Sequence, residues 1–474
     1  MHPANTLIAN RLVAGEGALY AKVNPSTEAA IEGIRQSSLD QVEAAIAVAH
    51  QAAKAWRSTP PQVVAALMQR AASILGERKA ALAQVGAEES GITATAIAGM
   101  VDQAMAWLQY YAGWVDKFAG ERSVTPEHEL HYNHSEPYGV IGVITPSNST
   151  VSAMVLPPIL AARNTVVFKT PEFTSQVMAQ FLQCFVEAGF PPGVINCVTG
   201  DAAVGEAVTA HPLVNKVHFT GSPHVGKLVG MRCAQQLKPC TLELGGKSAN
   251  IICADADVER SVEMVFRALT RQSGQSCVAG TRVIVHESLA QQVLDQTIVA
   301  LRSLRMGDAQ SLQTDFGPVV SRAAYQKIQA EIARATAEGD GVCATQGLFD
   351  GQLSRRGFFI PPTIFDRVDN ASPLAQVETF GPVISLIHFQ EVEEAIQMAN
   401  DSAFGLAGYV QTASLKNAMQ ISQQLDTGII WVNGCQGIKP YMAFGGVKDS
   451  GFGRTGGPQG MQEFLKSKSV WMAM

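Results

Sequence analysis

Residues 138–170 read YGVIGVITPSNSTVSAMVLPPILAARNTVVFKT. Two short β-branched runs, Val140–Thr145 and Thr165–Lys169, flank an apolar stretch over 151–162. The same texture continues through 174–187, Val194–Val198, 202–210, Val214–Phe219, 224–236 and Thr241–Leu244. Strands alternating with helices of this length predict a mostly parallel sheet covered on both faces. A second alternating series runs from Thr281–His286 to Trp431–Asn433, and Asp257–Gly274 between the two reads as one helix. The expected architecture is therefore α/β, with two lobes joined near residue 245.

Upstream, the chain reads as helical: Leu39–Trp56, then Val63–Val85 after the break at Pro60–Pro61, then Thr93–Phe118. In the last of these Trp107, Tyr111, Trp114 and Phe118 recur at helical spacing, as a core stripe does. Residues 120–136, GERSVTPEHELHYNHSE, are polar and alternating, as in an exposed hairpin whose free edge needs a partner. The 474 residues are 47 % hydrophobic and 16 % charged, which excludes a disordered chain. A net charge of −6 without a long basic run speaks against nucleic acid and anionic membrane surfaces. The best apolar stretch, Val151–Ala162, is too short to span a bilayer and is interrupted by Pro157–Pro158. The eight cysteines form no CxxC pair and the N-terminus has no basic region followed by an apolar core, so a soluble cytoplasmic protein is expected.

Several constellations invite chemistry. His128, His131 and His134 would share a helix face, but on a strand His131 points away from the other two, and no acidic pair completes a site; no metal is expected. Gly221–Lys227, GSPHVGK, satisfies seven positions of a phosphate-cradling loop, but Leu228 replaces the Ser or Thr that would ligate magnesium, and Pro223 removes a backbone donor. That argues against an NTPase, while the segment still follows a strand and opens a helix, where cofactor phosphates sit. The turn carrying Gly200 and Gly205 reads the same way. Cys277 is flanked by glycines and small polar residues, which suits a nucleophile approached by a ligand, although burial as a small hydrophobe is the simpler reading of a cysteine. Glu243 lies between two leucines at a strand end. It is either a desolvated general base or half of a surface pair with Lys247.

Nine segments, in this order, together resemble the aldehyde dehydrogenase superfamily over nearly the whole chain. They are Asn24–Thr27, Tyr110–Trp114, Gly142–Asn148, Lys169–Glu172, Phe219–Gly226, Glu243–Lys247, Gly274–Cys277, Glu378–Pro382 and Phe444–Arg454. The resemblance implies a Rossmann-type dinucleotide-binding domain (1–119 and 137–244), an α/β catalytic domain (245–457), and an oligomerisation hairpin with a C-terminal strand (120–136 and 458–474). It implies NAD-dependent oxidation of an aldehyde to a carboxylic acid. Cys277 would be the nucleophile, Asn148 and the Cys277 backbone N–H the oxyanion donors, and Glu243 the base that activates water. For the cofactor it points to Thr145 and Lys169 along the dinucleotide and to Glu172 on the adenosine ribose. Gly205 and Ser222 would lie near the phosphates, Leu244 near the nicotinamide, and Glu378 and Phe380 at its ribose and ring. A carboxylate at 172 favours NAD and leaves NADP open. A homodimer or homotetramer is implied. The alternatives are a relative that passes the acyl group to coenzyme A and a catalytically silent binding protein of the same fold. Many relatives carry aromatic residues and a proline around the asparagine. Here Ser147, Ser149 and Thr150 stand there, which predicts a wider and more polar pocket lip.

Overall fold

A computed structural model describes residues 3–118, 120–349, 356–435 and 437–474; the expected domain edge at Ala119 lies outside them. Five parallel strands form the centre of the first sheet. In spatial order they are Ile195–Thr199, Thr165–Thr170, Val140–Ile144, Lys216–Thr220 and Cys240–Glu243. Antiparallel strands extend it at both sides, Thr6–Ile8 with Arg11–Val13 at one and Gly451–Phe452 at the other. The strand Gly451–Phe452 was expected with the second lobe, yet it pairs with Leu242 and Glu243.

Strand alternation explains why the sheet is covered on both faces. Ile141, Val143, Val166 and Phe168 point into a core with the helices Pro61–Ser90, Ala94–Ala112 and Ser175–Glu187. Val140, Ile144, Val167 and Val217 point into a second core under Leu39–Trp56, Ala202–Ala210 and Pro223–Gln235. Both faces being apolar, these strands read as continuous hydrophobic runs, as buried parallel strands do. The second sheet orders Val342–Cys343, Thr363–Asp366, Val383–Phe389, Arg282–His286, Ala249–Ile252, Ala407–Gln411 and Ile429–Val432, all parallel except the first pair. Residues 244–248 alone join the last parallel strand of one sheet to the first strand of the other.

Two helices end earlier than their patterns predict. Ala94–Ala112 stops at Gly113, whose N–H turns back to Tyr110, and the aromatic row continues through the following turns with Trp114 and Phe118 half-buried. Val258–Thr270 stops before residues 272–274, which all have positive φ. The polar segment forms the strand Glu129–Pro137, which pairs antiparallel along its whole length with Leu465–Ala473. Glu121 and Ser123 bond to its other edge. His131 faces Ser123 Oγ at 2.7 Å and His134 is exposed. No described helix is long and apolar enough to cross a membrane.

One buried ion pair ties two helices of the covering layer to Leu19–Val23, a strand of a separate two-stranded sheet with Ala30–Arg35. Glu89, near the end of Pro61–Ser90, takes Lys22 Nζ and accepts the N–H groups of Gln176 and Val177 (3.0 and 2.9 Å) at the start of Ser175–Glu187. Glu89→Ala would strand a buried ammonium and two amides. It should lower unfolding free energy by about 3–5 kcal/mol. Lys79→Ala breaks an exposed pair with Asp102 and should cost at most about 1 kcal/mol. Denaturant midpoints measure both, and equal shifts would contradict this account.

Candidate active site

The order of the five parallel strands reverses beside Val140–Ile144, and ligands of such sheets bind in the crevice beyond the strand carboxyl ends at that reversal. A cavity of about 480 Å³ opens there. The loop after Val140–Ile144 contributes Thr145 and Asn148, the loop after Lys216–Thr220 contributes Ser222, and Glu243 and Leu244 come from the end of the fifth strand. From the second lobe come Cys277, Glu378 and Phe380. Lys169, Glu172 and Gly205 do not line this cavity. They lie farther along the same carboxyl edge, Lys169 on the strand Thr165–Thr170 and Glu172 in the turn that follows it.

Cys277 reaches the cavity by a sharp reversal after Thr270. Gln272, Ser273 and Gly274 take φ of +52°, +54° and +72°, and only the last is a residue that adopts this region without cost. Ser273 Oγ anchors the turn on the Gly317 carbonyl (2.6 Å), and the buried Gln275 carboxamide accepts from Val320 N (3.0 Å). A Cβ on Gly274 would stand 2.2 Å from the Gly381 carbonyl oxygen, so the position is closed to a side chain. Asn148 Nδ2 donates to the Gln275 carbonyl at 3.0 Å, and Gln272 Nε2 donates to the Asn148 carbonyl at 3.2 Å. The asparagine is thereby clamped to the turn that delivers the cysteine. Cys277 keeps a partly open flank on the cavity, while the protein packed around its thiol, aided by the charges of Glu378 and Glu243, pushes its pKa up to about 12.

Glu243 is 5 % exposed, and neither carboxylate oxygen has a hydrogen-bond partner at bonding geometry. Burial holds its pKa well above the ordinary carboxylate range. Arg454 and the nearby Thr455 pull it down, and Glu463 pushes it further up. The surface pair with Lys247 does not exist: Lys247 is itself buried and donates to Thr379 Oγ1 at 3.4 Å, and desolvation lowers its pKa to about 7. A carboxylate needs a strand end and two apolar neighbours to be buried this way, and its lysine is carried into the second lobe by Gly245 and Gly246.

On the other side of the cavity Thr145 N donates to the Lys169 carbonyl (3.1 Å). Burial lowers the Lys169 pKa, with Glu172 and Asp201 pulling it back. Glu172 is partly exposed, with Gln36 Nε2 at 3.5 Å. Gly205 packs beneath Lys169, and a Cβ there would meet Lys169 Cδ at 3.9 Å, an ordinary contact. Ser222 caps the helix Pro223–Gln235, accepting from Val225 N. Leu244 fills the space that a side chain on Gly226 would need. Glu378 Oε1 accepts from Gly246 N (2.9 Å), and Phe380 sits at φ +56°. Around Asn148, Ser147 and Ser149 line the cavity as expected, but Thr150 does not widen its lip. Thr150 is fully buried, with its hydroxyl on the Met100 sulfur. The sequence reading missed Gln272 and Gln275, which hold the asparagine, because two glutamines in a polar run carry no local signal.

The aldehyde dehydrogenase family model matches residues 12–470. An aldehyde dehydrogenase of Davidiella tassiana is 35 % identical over 99 % of this chain and 95 % of its own length. Betaine aldehyde dehydrogenase 1 of Oryza sativa subsp. japonica is 35 % identical over 94 % of this chain and 91 % of its own. An NAD+ complex of an aldehyde dehydrogenase from Bacillus cereus superposes with a TM-score of 0.95 at 31 % identity, covering 100 % of this chain and 97 % of that one. A cysteine and an unpartnered buried carboxylate facing one cavity at the reversal of a doubly wound sheet, with full-length similarity of this kind, place the chain in the aldehyde dehydrogenase family.

Proposed function

We propose that the protein oxidises an aldehyde to a carboxylic acid with NAD, with Cys277 as nucleophile and Glu243 as the base for hydrolysis. The observation that carries this reading is Glu243: a buried carboxylate without a hydrogen-bond partner, in the cavity that holds Cys277. A transferase to coenzyme A has no use for such a base, and a silent binding protein has no reason to bear its desolvation.

The residues present fit a dinucleotide. Its ribose hydroxyls need carboxylate acceptors, which Glu172 and Glu378 offer, and its phosphates need the donors of a helix start, which Ser222 and Pro223–Gln235 offer, with Lys169 a cation on the same sheet's carboxyl edge. Thr145, Gly205, Leu244 and Phe380 would complete the contacts. The sheet containing 140–144 would be the cofactor domain, and the sheet containing 249–252 the catalytic one.

Cys277 Sγ, once deprotonated, attacks the carbonyl carbon to form a C–S bond, and the carbonyl oxygen takes the negative charge. Asn148 Nδ2 and the Cys277 N–H stabilise that oxygen, each such donor being worth about 2.7–4 kcal/mol. When bound, NAD supplies the acceptor for the hydride that leaves this carbon. The acyl group then sits on Cys277 as a thioester. Glu243 takes a proton from water as the water oxygen adds to the thioester carbon. Collapse of that adduct breaks the C–S bond and returns Cys277 as a thiolate with the acid released. The raised pKa of Glu243 suits it to accept a proton near neutrality.

Assembly belongs to this reading. Val225, Leu228 and Met231 lie exposed on one face of Pro223–Gln235, continued by Leu237 and by Phe452 on the neighbouring edge strand, and Trp471 and Met472 are exposed on the C-terminal strand. A two-fold axis through such a patch buries it in both copies at once, giving a homodimer or homotetramer. All eight cysteines are free, which supports a reducing, cytoplasmic setting.

Three outcomes follow. Glu243→Gln should give a first-turnover burst of NADH, then a collapse of steady turnover with an acyl mass retained on Cys277; normal turnover without coenzyme A would remove Glu243 from the chemistry. In cofactor-free enzyme, alkylation of Cys277 by iodoacetamide should climb about tenfold per pH unit between about pH 7 and pH 9.5, because the thiolate fraction rises with that slope below a raised pKa. A plateau below about pH 8 would contradict the burial described above. Sedimentation should give a dimer or its multiple; a stable 50.4 kDa monomer would rule out the interface.

A further inference from the structure

Arg271 is the residue between the end of the helix Val258–Thr270 and the left-handed turn to Cys277, and it borders three adjoining cavities. One is the cavity of Cys277. The second, about 510 Å³, has Gln103, Trp107, Ile438 and Lys439 in its wall. The third, about 330 Å³, lies beside Met264 and Tyr409. Cys435 borders all three, and Ile438 borders the first two, so these spaces adjoin as one approach to the cysteine, and neither of the outer two touches Glu378 or Ser222.

The charges on this approach do not balance. Arg267 is committed to Glu263 (3.0 Å) and to the Cys435 carbonyl (2.8 Å). Asp102 is held by Lys79 at 2.9 Å. Arg271 and Lys439 make no side-chain hydrogen bond or ion pair among the described residues. Among the described residues lining this approach, two cations are therefore uncommitted and no anion is. The carboxylates of the catalytic cavity are Glu243, assigned to hydrolysis, and Glu378, held by Gly246. Met154, Val278 and Trp431 line the cavity that Arg271 and Cys277 share and belong to the apolar cluster around the cysteine, which suits a short hydrocarbon stem. A cationic aldehyde would enter against Arg271, and an uncharged one would leave its planar fork of donors unused.

We propose that the substrate is an aldehyde whose far end carries a carboxylate, bound by Arg271 with Lys439 adding to the field while the carbonyl meets Cys277. This rests on the aldehyde dehydrogenase reading above. The test is kcat/KM with NAD for three matched series of about four to six carbons: ω-carboxy aldehydes, plain n-alkyl aldehydes and ω-ammonio aldehydes. The ω-carboxy series should lead by at least about tenfold, and added salt should narrow that lead. Arg271→Gln should raise KM for the ω-carboxy aldehydes by roughly ten- to a hundredfold, the range of one charged hydrogen-bonded contact, with kcat changing less. Arg271→Lys should retain part of the preference, which separates a binding role from a damaged turn. A wild-type preference for alkyl or ammonio aldehydes, or a KM increase in Arg271→Gln equal for all three series, would overturn the proposal. Absence of NADH with every series would instead overturn the oxidation chemistry on which it rests.

Discussion

Residues 244–248 are the constraint on which the site depends. They are the direct connection between two sheets, and they leave no room for side chains where they cross. A Cβ on Gly245 would fall 2.2 Å from Glu378 Oε2, and one on Gly246 would fall 2.7 Å from the Cys277 carbonyl oxygen. The crossing is also pinned by hydrogen bonds. Ser450 Oγ donates to the Gly245 carbonyl (2.7 Å), Leu244 N to the Ser450 carbonyl (3.0 Å), and Arg282 Nε to the Lys247 carbonyl (2.9 Å). Because the backbone passes this closely, Glu243 from one lobe and Cys277 and Glu378 from the other are forced into one cavity. Two glycines thus act by absence, as close backbone approach requires.

The cost of that closeness is desolvation, and it sets the chemistry. Three acids are buried against protein around one cavity, so each is harder to ionise than in solution: the Cys277 thiol, the Glu243 carboxyl and the Glu378 carboxyl all shift upward. Lys247 moves the other way for the same reason. The upward shift of Glu243 suits the base proposed for hydrolysis, whereas the shift of Cys277 would require the proposed nucleophile to be deprotonated with substrate in place. The strained turn at residues 272–274 and the left-handed Phe380 lie at the same wall, where strain is held by surrounding bonds such as Ser273 to Gly317.

Much of the architecture was legible because buried parallel strands leave a compositional trace. The runs Val140–Thr145 and Thr165–Lys169 match two strands of the sheet to within one residue, and helices from along the chain cover both faces. Cys277 and Glu243 stood out through their unusual neighbours, but which reading of Glu243 held depended on where Lys247 goes, and that is settled 132 positions away by Thr379. The end of Val258–Thr270 was invisible, since Gln272 and Ser273 are poor advertisements for positive φ. The trajectory of Thr150 was equally hidden: its hydroxyl is taken by Met100 on the helix Ala94–Ala112. Local pattern reports what a segment buries; it does not report what a distant segment brings to meet it.

The central claim is that carbon–sulfur bond formation at Cys277 precedes oxidation. The most direct test compares wild type with Cys277→Ala for NADH formation, alongside calorimetric NAD binding on the same preparations. The account predicts that turnover falls by about a thousandfold or more while cofactor affinity is retained, because the proposed cofactor contacts lie on other residues. Turnover of Cys277→Ala near the wild-type rate would contradict it.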